Sequence, residues 1–517
     1  MGILAAALLF TLGAENALQP QEIAPGVFCL TTDHKHGAVN VGWVALGGET
    51  LLIGSFPADL VPRILSAVDA TTHAPVRTVV ITHLSAGSVE GPLALAAKGA
   101  RIVAATQSAR TLTASPHGEA LRGGERIVEV PEDAWGPIEL GVPAISSPSR
   151  PIQLFAAGRA APGGLAINLK RDGVLFAGPL CINGPRVGLP GRDTARWLKA
   201  LSDLQVLSWK AVVPGEGTPA GTEILERQRR FLREMRQQVG FGIVQAKALD
   251  LIQQEARLSP EFLVWMPYDN PLPEDFAHVY SELTIPRALE GGIASPDRGR
   301  PKALVLIGDR VHEPQHLEDA LAPVFEKAGI DARFVVDVRA LSRESLRDVQ
   351  LFAILRDGWV WDRGPGEHRV WMTPEQEQAV EEFVQAGGGF LPIHNATGLY
   401  PEGGAYLRTV GGTYNGHGPL ERFRVRVKVA DHPIVRGVQD YEVADEQHTP
   451  VLEKARGHVF LESTAEDGTT AAAGWAFELG RGRVAYLANG HTRETLLHPM
   501  VQRLLENAAR WCVKRTE

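Results

Sequence analysis

Cysteine is scarce in this chain of 517 residues, which contains only Cys29, Cys181 and Cys512. The three lie far apart and none belongs to a CxxC pair, so neither a disulfide framework nor a cysteine-rich metal site is indicated. We expect all three to be buried and to behave as small apolar side chains.

A strong charge of either sign is also missing. The 60 acidic and 52 basic residues leave a net charge of −8, which gives no electrostatic footprint for a nucleic-acid partner. A hydrophobic fraction of 44% excludes a disordered chain. The length exceeds what one core usually supports, so two or three domains are expected.

Long apolar runs are few, and none reaches the about 20 residues that a membrane-spanning helix needs. The run at residues 3–12 has the length of a signal-peptide core and is followed by the small residues Gly13, Ala14 and Ala17. The first basic residue is Lys35, so the positive segment that precedes such a core is absent. We interpret residues 1–20 as a candidate signal segment and expect a periplasmic or secreted protein, with a cytoplasmic one as the alternative.

A stretch rich in glycine and proline at residues 291–300 predicts a linker between two domains. Before it, short β-branched runs alternate with helical segments, and residues 194–290 are mostly helical. After it, an alternation of strands and helices begins again at residue 303. The sequence therefore predicts a two-domain α/β chain with domains at 21–290 and 301–517.

Four segments of the first domain resemble the metallo-β-lactamase family. A strand ends in Thr82-His83 before a glycine-containing turn, and the segments at 47–53, 174–178 and 212–217 follow the family's order. The resemblance implies an αββα sandwich with a helical extension up to residue 290. The residues aligned with the family's metal ligands are His83, Ser85, Gly87, Ser88, Pro179 and Glu216.

Of the family's ligands only the histidine at His83 survives, and Glu216 stands where the family has its last histidine, whereas a catalytic zinc needs about three protein ligands. We interpret the domain as a degenerate scaffold without metal. His83 is then a buried histidine satisfied by the backbone, Glu216 caps a loop, and the cleft serves as a binding pocket or a subunit interface. An active metallo-hydrolase would have to use Ser85, Ser88 or Glu216 as ligands, and is the least favoured interpretation.

Ten of the 16 histidines follow residue 300. His394 comes directly after the strand predicted at 387–393, where ligands of parallel sheets bind. Further polar segments rich in histidine and glycine follow at 411–419, 431–434, 445–448 and 489–491. His432 precedes Pro433 and is expected to hold a turn. His312 and His316 are left outside the site, because Pro314 weakens the helix that would place both on one face.

These segments, in this order, resemble the trehalose-utilisation (ThuA-like) family over about residues 301–515, including Trp475 and the helix at 507–511. The resemblance implies a fold similar to class I glutamine amidotransferases, which is a flavodoxin-like three-layer α/β/α sandwich. In an amidotransferase the turn after the central strand carries a nucleophilic cysteine. Here that position is about His394 and no cysteine is near, so glutamine hydrolysis by a thiolate is excluded.

We expect four residues of this domain to form one catalytic site: His394, His417, Glu446 and His491. In one interpretation His394, His417 and His491 bind a divalent metal, for which zinc is the best match. In the other the four residues act as metal-free acid and base groups. Substrate contacts are predicted for Asp309, Asn395 and Tyr414.

Two functions remain open. The first is a carbohydrate-active hydrolase or lyase that acts on a sugar or an oxidised (keto) sugar, with the first domain in a structural or binding role. The second is a non-catalytic ligand-binding or assembly protein built from two degenerate enzyme folds. The expected partner is a small carbohydrate, with self-association into a homo-oligomer and no membrane span. Convergence of the four predicted residues would favour the first function.

Overall fold

The computed structural model describes residues 19–34, 37–84, 88–115, 118–121, 126–132, 138–139, 150–183, 188–263, 272–284, 299–361, 367–453 and 457–513. The candidate signal segment, except for its last two residues, and most of the linker at 291–300 therefore lie outside the described residues. The chain forms two compact units, Met1–Leu232 with Ser259–Pro271 and Arg233–Leu258 with Leu272–Glu517.

The first unit contains a twelve-stranded mixed sheet, in which ten strands follow the order β7-β6-β5-β4-β3-β12-β11-β10-β9-β8 and β2 and β1 branch from β3. Its strands are β1 (Gln21–Ala24), β2 (Val27–His34), β3 (Gly37–Ala45), β4 (Thr50–Ile53), β5 (Val76–Val80), β6 (Arg101–Ala105), β7 (Ile127–Val130), β8 (Ile138–Glu139), β9 (Gln153–Ala156), β10 (Leu165–Leu169), β11 (Val174–Asn183) and β12 (Ala211–Gly217). Its helices are α1 (Val61–Thr72), α2 (Glu90–Ala97), α3 (Thr106–Ala114), α4 (Thr194–Gln205), the first part of α5 (Glu223–Val244) and α7 (Pro260–Leu263), with 3₁₀ turns at Ala58–Leu60, Gly118–Leu121 and Gly158–Ala160.

Both faces of this sheet are buried. In β4, Leu51 and Ile53 join one hydrophobic cluster and Leu52 joins the other, because successive side chains of a strand point to opposite faces. Burial on both faces explains why these strands are continuous apolar runs without a polar alternation.

The second unit contains a nine-stranded sheet in the order β14-β13-β15-β18-β25-β24-β23-β20-β21. Its strands, with those of two small hairpin sheets, are β13 (Lys302–Ile307), β14 (Asp331–Val335), β15 (Leu351–Leu355), β16 (Trp359–Val360), β17 (Arg369–Val370), β18 (Gly389–Pro392), β19 (Gly412–Thr413), β20 (His417–Val427), β21 (Tyr441–His448), β22 (Val451–Leu452), β23 (His458–Thr464), β24 (Thr470–Leu479) and β25 (Gly482–Leu487). The first five strands in the sheet order are parallel and the remaining four are antiparallel.

The helices of the second unit have clear start signals. Thr373 and Gln376 form a reciprocal capping box at α11, and Pro314 occupies the first turn of α9. The helices are the second part of α5, α6 (Leu249–Glu255), α8 (Leu272–Thr284), α9 (Pro314–Lys327), α10 (Arg343–Arg347), α11 (Pro374–Gln385), α12 (Ala405–Val410), α13 (Arg493–Leu496) and α14 (Pro499–Cys512), with 3₁₀ turns at Val338–Ala340, His394–Thr397 and Pro433–Val435. The chain thus contains two large sheets with helices, and the prediction of an α/β chain is confirmed.

The helical extension α6 and α8 lies in the second compact unit, although the sequence analysis groups it with the first domain. Arg236 of α5 is buried and forms ion pairs with Glu318 of α9 and Glu282 of α8. A buried arginine needs such partners, since an unpaired charge inside a protein is strongly unfavourable. The exact domain limits stay a prediction.

The three cysteines are buried, as predicted. Burial raises the pKa of Cys29 and of Cys512 to about 12, which keeps both thiols protonated and unreactive at neutral pH. No helix among the described residues is both long enough and apolar enough to cross a membrane.

Candidate functional site

The parallel strands of the second unit end at one edge of the sheet, and polar residues follow four of them. Asp309 follows β13, Asp357 follows β15, His394 follows β18 and His491 follows β25. Ligands of parallel α/β sheets bind at this edge. The arrangement brings together side chains that are separated by up to about 180 residues in sequence.

His394 is held in a left-handed backbone conformation, with a φ of 52°. This conformation is unfavourable for a side chain with a Cβ atom and is typical of functional sites. The loop after β25 makes room for it, because a Cβ atom on Gly490 would lie 3.0 Å from the Cβ atom of His394.

The ring of His394 is fully buried, and only one of its nitrogens has a hydrogen-bond partner among the described residues. Nδ1–H donates to the carbonyl oxygen of Ala488 at 2.8 Å, so in the neutral ring the lone pair lies on Nε2. Burial, together with the charges of His448 and His312, holds the pKa of His394 well below its usual value. His394 therefore presents a neutral, unpaired Nε2 lone pair.

Four imidazole rings surround one carboxylate oxygen, Oε2 of Glu446. It lies 3.9 Å from His394 Nε2, 3.3 Å from His491 Nδ1, 3.7 Å from His417 Nδ1 and 3.9 Å from His448 Nε2. Burial alone would raise the pKa of Glu446, but the attraction of the neighbouring imidazoles of His448, His491 and His417 lowers the pKa overall. We call these five residues the histidine–glutamate cluster.

Asp309 and His312 extend the cluster into the core. His312 Nδ1–H donates to both oxygens of Asp309, at 2.9 and 3.0 Å, and His312 Nε2 lies 3.1 Å from His491 Nδ1. Burial opposes charge on both residues, yet their mutual attraction lowers the pKa of Asp309 and raises that of His312. An aspartate that fixes the orientation and tautomer of a histidine ring is a common arrangement in catalytic sites.

Asp445 ties the loop of His491 to strand β21. Its buried carboxylate accepts from the backbone N–H groups of Gly490 and His491, at 2.9 and 3.0 Å. Burial raises the pKa of Asp445 to about 6, although these hydrogen bonds act in the opposite direction. Asp445 is therefore a positioning residue, and the adjacent Glu446 points into the cluster from the other face of the same strand.

The substrate contacts predicted from sequence lie in two environments. Asp309 is 1% exposed, and the Nδ2 group of Asn395 donates to it at 2.7 Å, so both residues lie behind the cluster. The Oδ1 atom of Asn395 has no partner among the described residues. The ring of Tyr414 lies 5.1 Å from that of His448, with its hydroxyl group only partly buried. Tyr414 is therefore the one of the three that faces the outer side of the cluster.

Two members of the site were not singled out from the sequence. Pro314 led to the exclusion of His312, but α9 begins at Pro314, so His312 lies in the preceding loop and faces Asp309. His448 follows Glu446 by two residues on β21, and this spacing places both side chains on one face of the strand. Alternation along a strand was the signal that could have identified His448. His432 stacks on Phe460 and lies outside the cluster.

The donor set fits a divalent metal. The nitrogen or oxygen atoms of two groups lie within 4.8 Å of one another, namely His394, Glu446 and His448, and His312, His394 and His491. Neutral imidazoles with a carboxylate are ligands that zinc prefers. His394 belongs to both groups, and its buried Nε2 atom has no hydrogen-bond partner among the described residues. His417 is in neither group; it is more exposed, and its Nδ1–H donates to the carbonyl of Gly418.

In the first unit, the positions His83 and Glu216 that were compared with metal ligands are under the influence of an arginine, Arg192. Arg192 donates to the carbonyl oxygen of Pro179, and its charge acts on both His83 and Glu216. Burial lowers the pKa of His83 to about 4, assisted by the charge of Arg192, and burial also raises the pKa of Glu216. Ser88 is buried, while Ser85 lies outside the described residues. A fixed guanidinium beside these groups disfavours a bound cation.

Residues 302–512 match the ThuA family, described as trehalose utilisation. No match was found among curated protein sequences.

Solved structures similar to the chain include ThuA-like proteins and metallo-β-lactamases. A ThuA-like protein from Bacteroides uniformis is 19% identical over 44% of this chain and 97% of its own, with a TM-score of 0.35. A metallo-β-lactamase from Erythrobacter litoralis is 19% identical over 42% and 96%, with a TM-score of 0.35. The metallo-β-lactamase FIM-1 from Pseudomonas aeruginosa, in its mono-zinc form, is 20% identical over 42% and 95%, with a TM-score of 0.34.

The chain is therefore a two-unit α/β protein. More specifically, residues 302–512 match the ThuA family, so the resemblance predicted for this part from the sequence is confirmed. Metallo-β-lactamases are among the solved structures similar to the chain.

Proposed function

We propose that the chain is an enzyme that acts on a sugar or an oxidised sugar derivative, with its active site at the histidine–glutamate cluster. One observation carries the proposal: a buried, neutral histidine in a strained turn directs an unpaired nitrogen toward a carboxylate with three further imidazoles around it. A buried polar atom without a partner is unfavourable unless a ligand satisfies it. The description of the matched family supports a sugar as substrate.

We further propose that the site binds one divalent metal, zinc by the chemistry of its donors. His394 Nε2, the carboxylate of Glu446 and His448 would hold the ion, and His491 lies close enough to complete the set. Bound zinc would polarise a carbonyl or hydroxyl oxygen of the sugar, or activate a water molecule.

The other residues have roles of their own. Asp309 orients His312 so that the Nε2 atom of His312 can hold or receive a proton beside His491. Tyr414 and His417, on the more exposed side of the cluster, would contact sugar hydroxyl groups. If no metal binds, the same histidines and Glu446 can act as acid and base groups, which is the second interpretation of the site.

For the remaining parts of the chain we propose an αββα sandwich without catalytic metals in the first unit and a flavodoxin-like three-layer sandwich in the second. A non-catalytic ligand-binding or assembly protein is the alternative function. The charge of Arg192, which acts on His83 and Glu216, supports this alternative, because it would repel a cation at these two residues. A periplasmic or secreted location and a homo-oligomer also stay proposals.

Metal content tests the proposal. The full chain would be stripped with a chelator, reloaded with zinc, desalted and measured by mass spectrometry. We expect about one zinc per chain in the wild type and a loss of it in H394A. The matched control is H316A, because His316 is a half-exposed histidine that pairs with Glu313 outside the cluster.

Turnover of disaccharides and their keto derivatives would be followed in parallel by chromatography. Loss of turnover in the H394A/H417A double variant, with H316A unchanged, would support an active site at the cluster. Equal turnover in the double variant and the wild type would contradict it. Absence of zinc from the wild type with turnover retained would leave metal-free acid–base chemistry.

A further inference from the structure

Next to the cluster lies a group of aromatic side chains on the hairpin of β16 and β17. The ring of Trp359 stacks on that of His368, with 3.5 Å between centroids and 24° between planes. Trp361 meets Trp359 edge-on at 6.1 Å and His368 at 5.1 Å. The guanidinium carbon of Arg310 lies 4.8 Å from the centre of the Trp361 ring. We call these four residues the aromatic platform.

Backbone contacts connect the aromatic platform to the cluster. Arg310 and Val311 are the exposed tip of a loop whose two ends, Asp309 and His312, are buried. The N–H of Asp309 donates to the carbonyl of His312 and closes this loop. A second connection follows the end of β15. There the backbone N–H of Trp359 donates to the carboxylate of Asp357, and the backbone N–H of Asp357 donates to the carboxylate of Asp309. One side of the loop thus faces the histidines, and the other carries Arg310 to Trp361.

The aromatic platform is accessible from solvent. Trp359 and Trp361 are partly exposed, and His368 and Arg310 are exposed. The indole Nε1–H of Trp361 is shielded from solvent, yet it has no acceptor among the described residues. Tryptophan N–H groups usually find a partner when they are buried, so this donor is available to a ligand.

A sugar ring matches this set of groups. The face of a pyranose consists of C–H groups that pack on an aromatic ring, while its hydroxyl groups accept hydrogen bonds at the rim. The indole N–H and a guanidinium with several N–H donors supply such hydrogen bonds.

We propose that the aromatic platform is a second sugar subsite. It stacks one pyranose ring of a disaccharide on Trp361 and donates hydrogen bonds from Arg310 and the indole N–H, while the reacting ring lies at the histidine–glutamate cluster. This inference rests on the proposed function, because it assigns a substrate class, a disaccharide rather than a monosaccharide, to the same site.

The test compares a disaccharide with a single ring. Binding of trehalose and of methyl α-glucoside to the full chain is measured by saturation-transfer NMR titration. We expect wild type to bind trehalose about tenfold more tightly, and W361A to bind both sugars equally. W361F keeps an aromatic face and should retain part of the preference. R310A should weaken trehalose binding alone, and it changes only an exposed side chain. W209A is the control, because Trp209 belongs to the first unit.

Two negative outcomes are distinguishable. If wild type prefers trehalose and the preference is unchanged in both W361A and R310A, or if wild type binds the two sugars equally, the platform is not a subsite, while the proposed sugar function stands. If wild type binds neither sugar, the assignment of a sugar substrate fails and the subsite fails with it. Circular dichroism of W361A verifies that the variant is folded, and R310A decides the matter if it is not.

Discussion

Replacing Asp309 by asparagine would remove one charge from the interior of the site and keep the size of the side chain. The two carboxylate oxygens accept from the N–H groups of Val311 and His312, from the ring of His312 and from the amide of Asn395. An asparagine offers one acceptor oxygen and an NH₂ donor. The NH₂ group of the new asparagine would therefore face N–H groups that now donate to the carboxylate of Asp309.

The magnitude follows from these contacts. The NH₂ group would replace Oδ2, which accepts from Asn395 at 2.7 Å and from the N–H of Asp357 at 3.3 Å. Each buried donor left unpaired costs about 1–3 kcal/mol. Asn395 could restore one bond by turning its unpartnered Oδ1 atom toward the new amide. Together with the lost attraction to His312, we expect D309N to lower the free energy of unfolding by about 2–4 kcal/mol.

Urea unfolding followed by hydrogen exchange would measure this change in peptides from β13 and β18, which report on the second unit alone. The control is D348N, because Asp348 is an exposed carboxylate and such substitutions usually change stability by less than about 0.5 kcal/mol. A loss below 1 kcal/mol in D309N, or a loss equal to that of D348N, would refute the argument that the Asp309 carboxylate holds the loop and His312 together.

Two further predictions concern the other unit and the turn at His394. His83 titrates near 6.5 in an unfolded chain and at about 4 in the folded one, so unfolded chains bind the proton first as the pH falls. The stabilisation of the folded state that comes from neutral His83 is fully present above pH 6.5, and it is lost as the pH falls toward 4. Urea unfolding at pH 7 and at pH 5 measures this change. Between the two pH values the free energy of unfolding of the wild type should fall by up to about 2 kcal/mol more than that of H83Q, and an equal fall would contradict the lowered pKa of His83. G490A would place a methyl group 3.0 Å from the Cβ atom of His394, so we expect it to cost about 1–3 kcal/mol and to lower zinc occupancy. G418A, where a methyl group meets nothing within 4 Å, should do neither, and zinc content equal in the two variants would show that the turn tolerates displacement.

The sequence predicted the α/β class and the ThuA resemblance because both depend on local signals. Strands such as β13 are continuous apolar runs, and the segments around His394 and His491 stand directly after such strands. Which of the ten later histidines converge depends on tertiary structure. The position of β21 illustrates this, since it ends the sheet order and yet Asp445 binds the loop after β25.

His312 shows why the remaining part of the site could not be predicted. A helix-based criterion was applied to residues that belong to a loop, because Pro314 can equally break a helix or begin one. The environment of His83 could not be predicted from the sequence either. Nothing in the spacing of Arg192 predicts that its guanidinium acts on the position where the resemblance implied a metal.

The site of the second unit draws on segments that run from Asp309 to His491, and this spacing determines when it can form. Small zinc modules have their ligands close together in sequence, and the metal can organise the chain as it folds. Here a nascent chain would expose His312 and His394 long before Glu446, His448 and His491 had been synthesised. The zinc proposed for this site would therefore be taken up after the sheet is complete rather than nucleate it, and its occupancy would report that synthesis and folding of the second unit are finished.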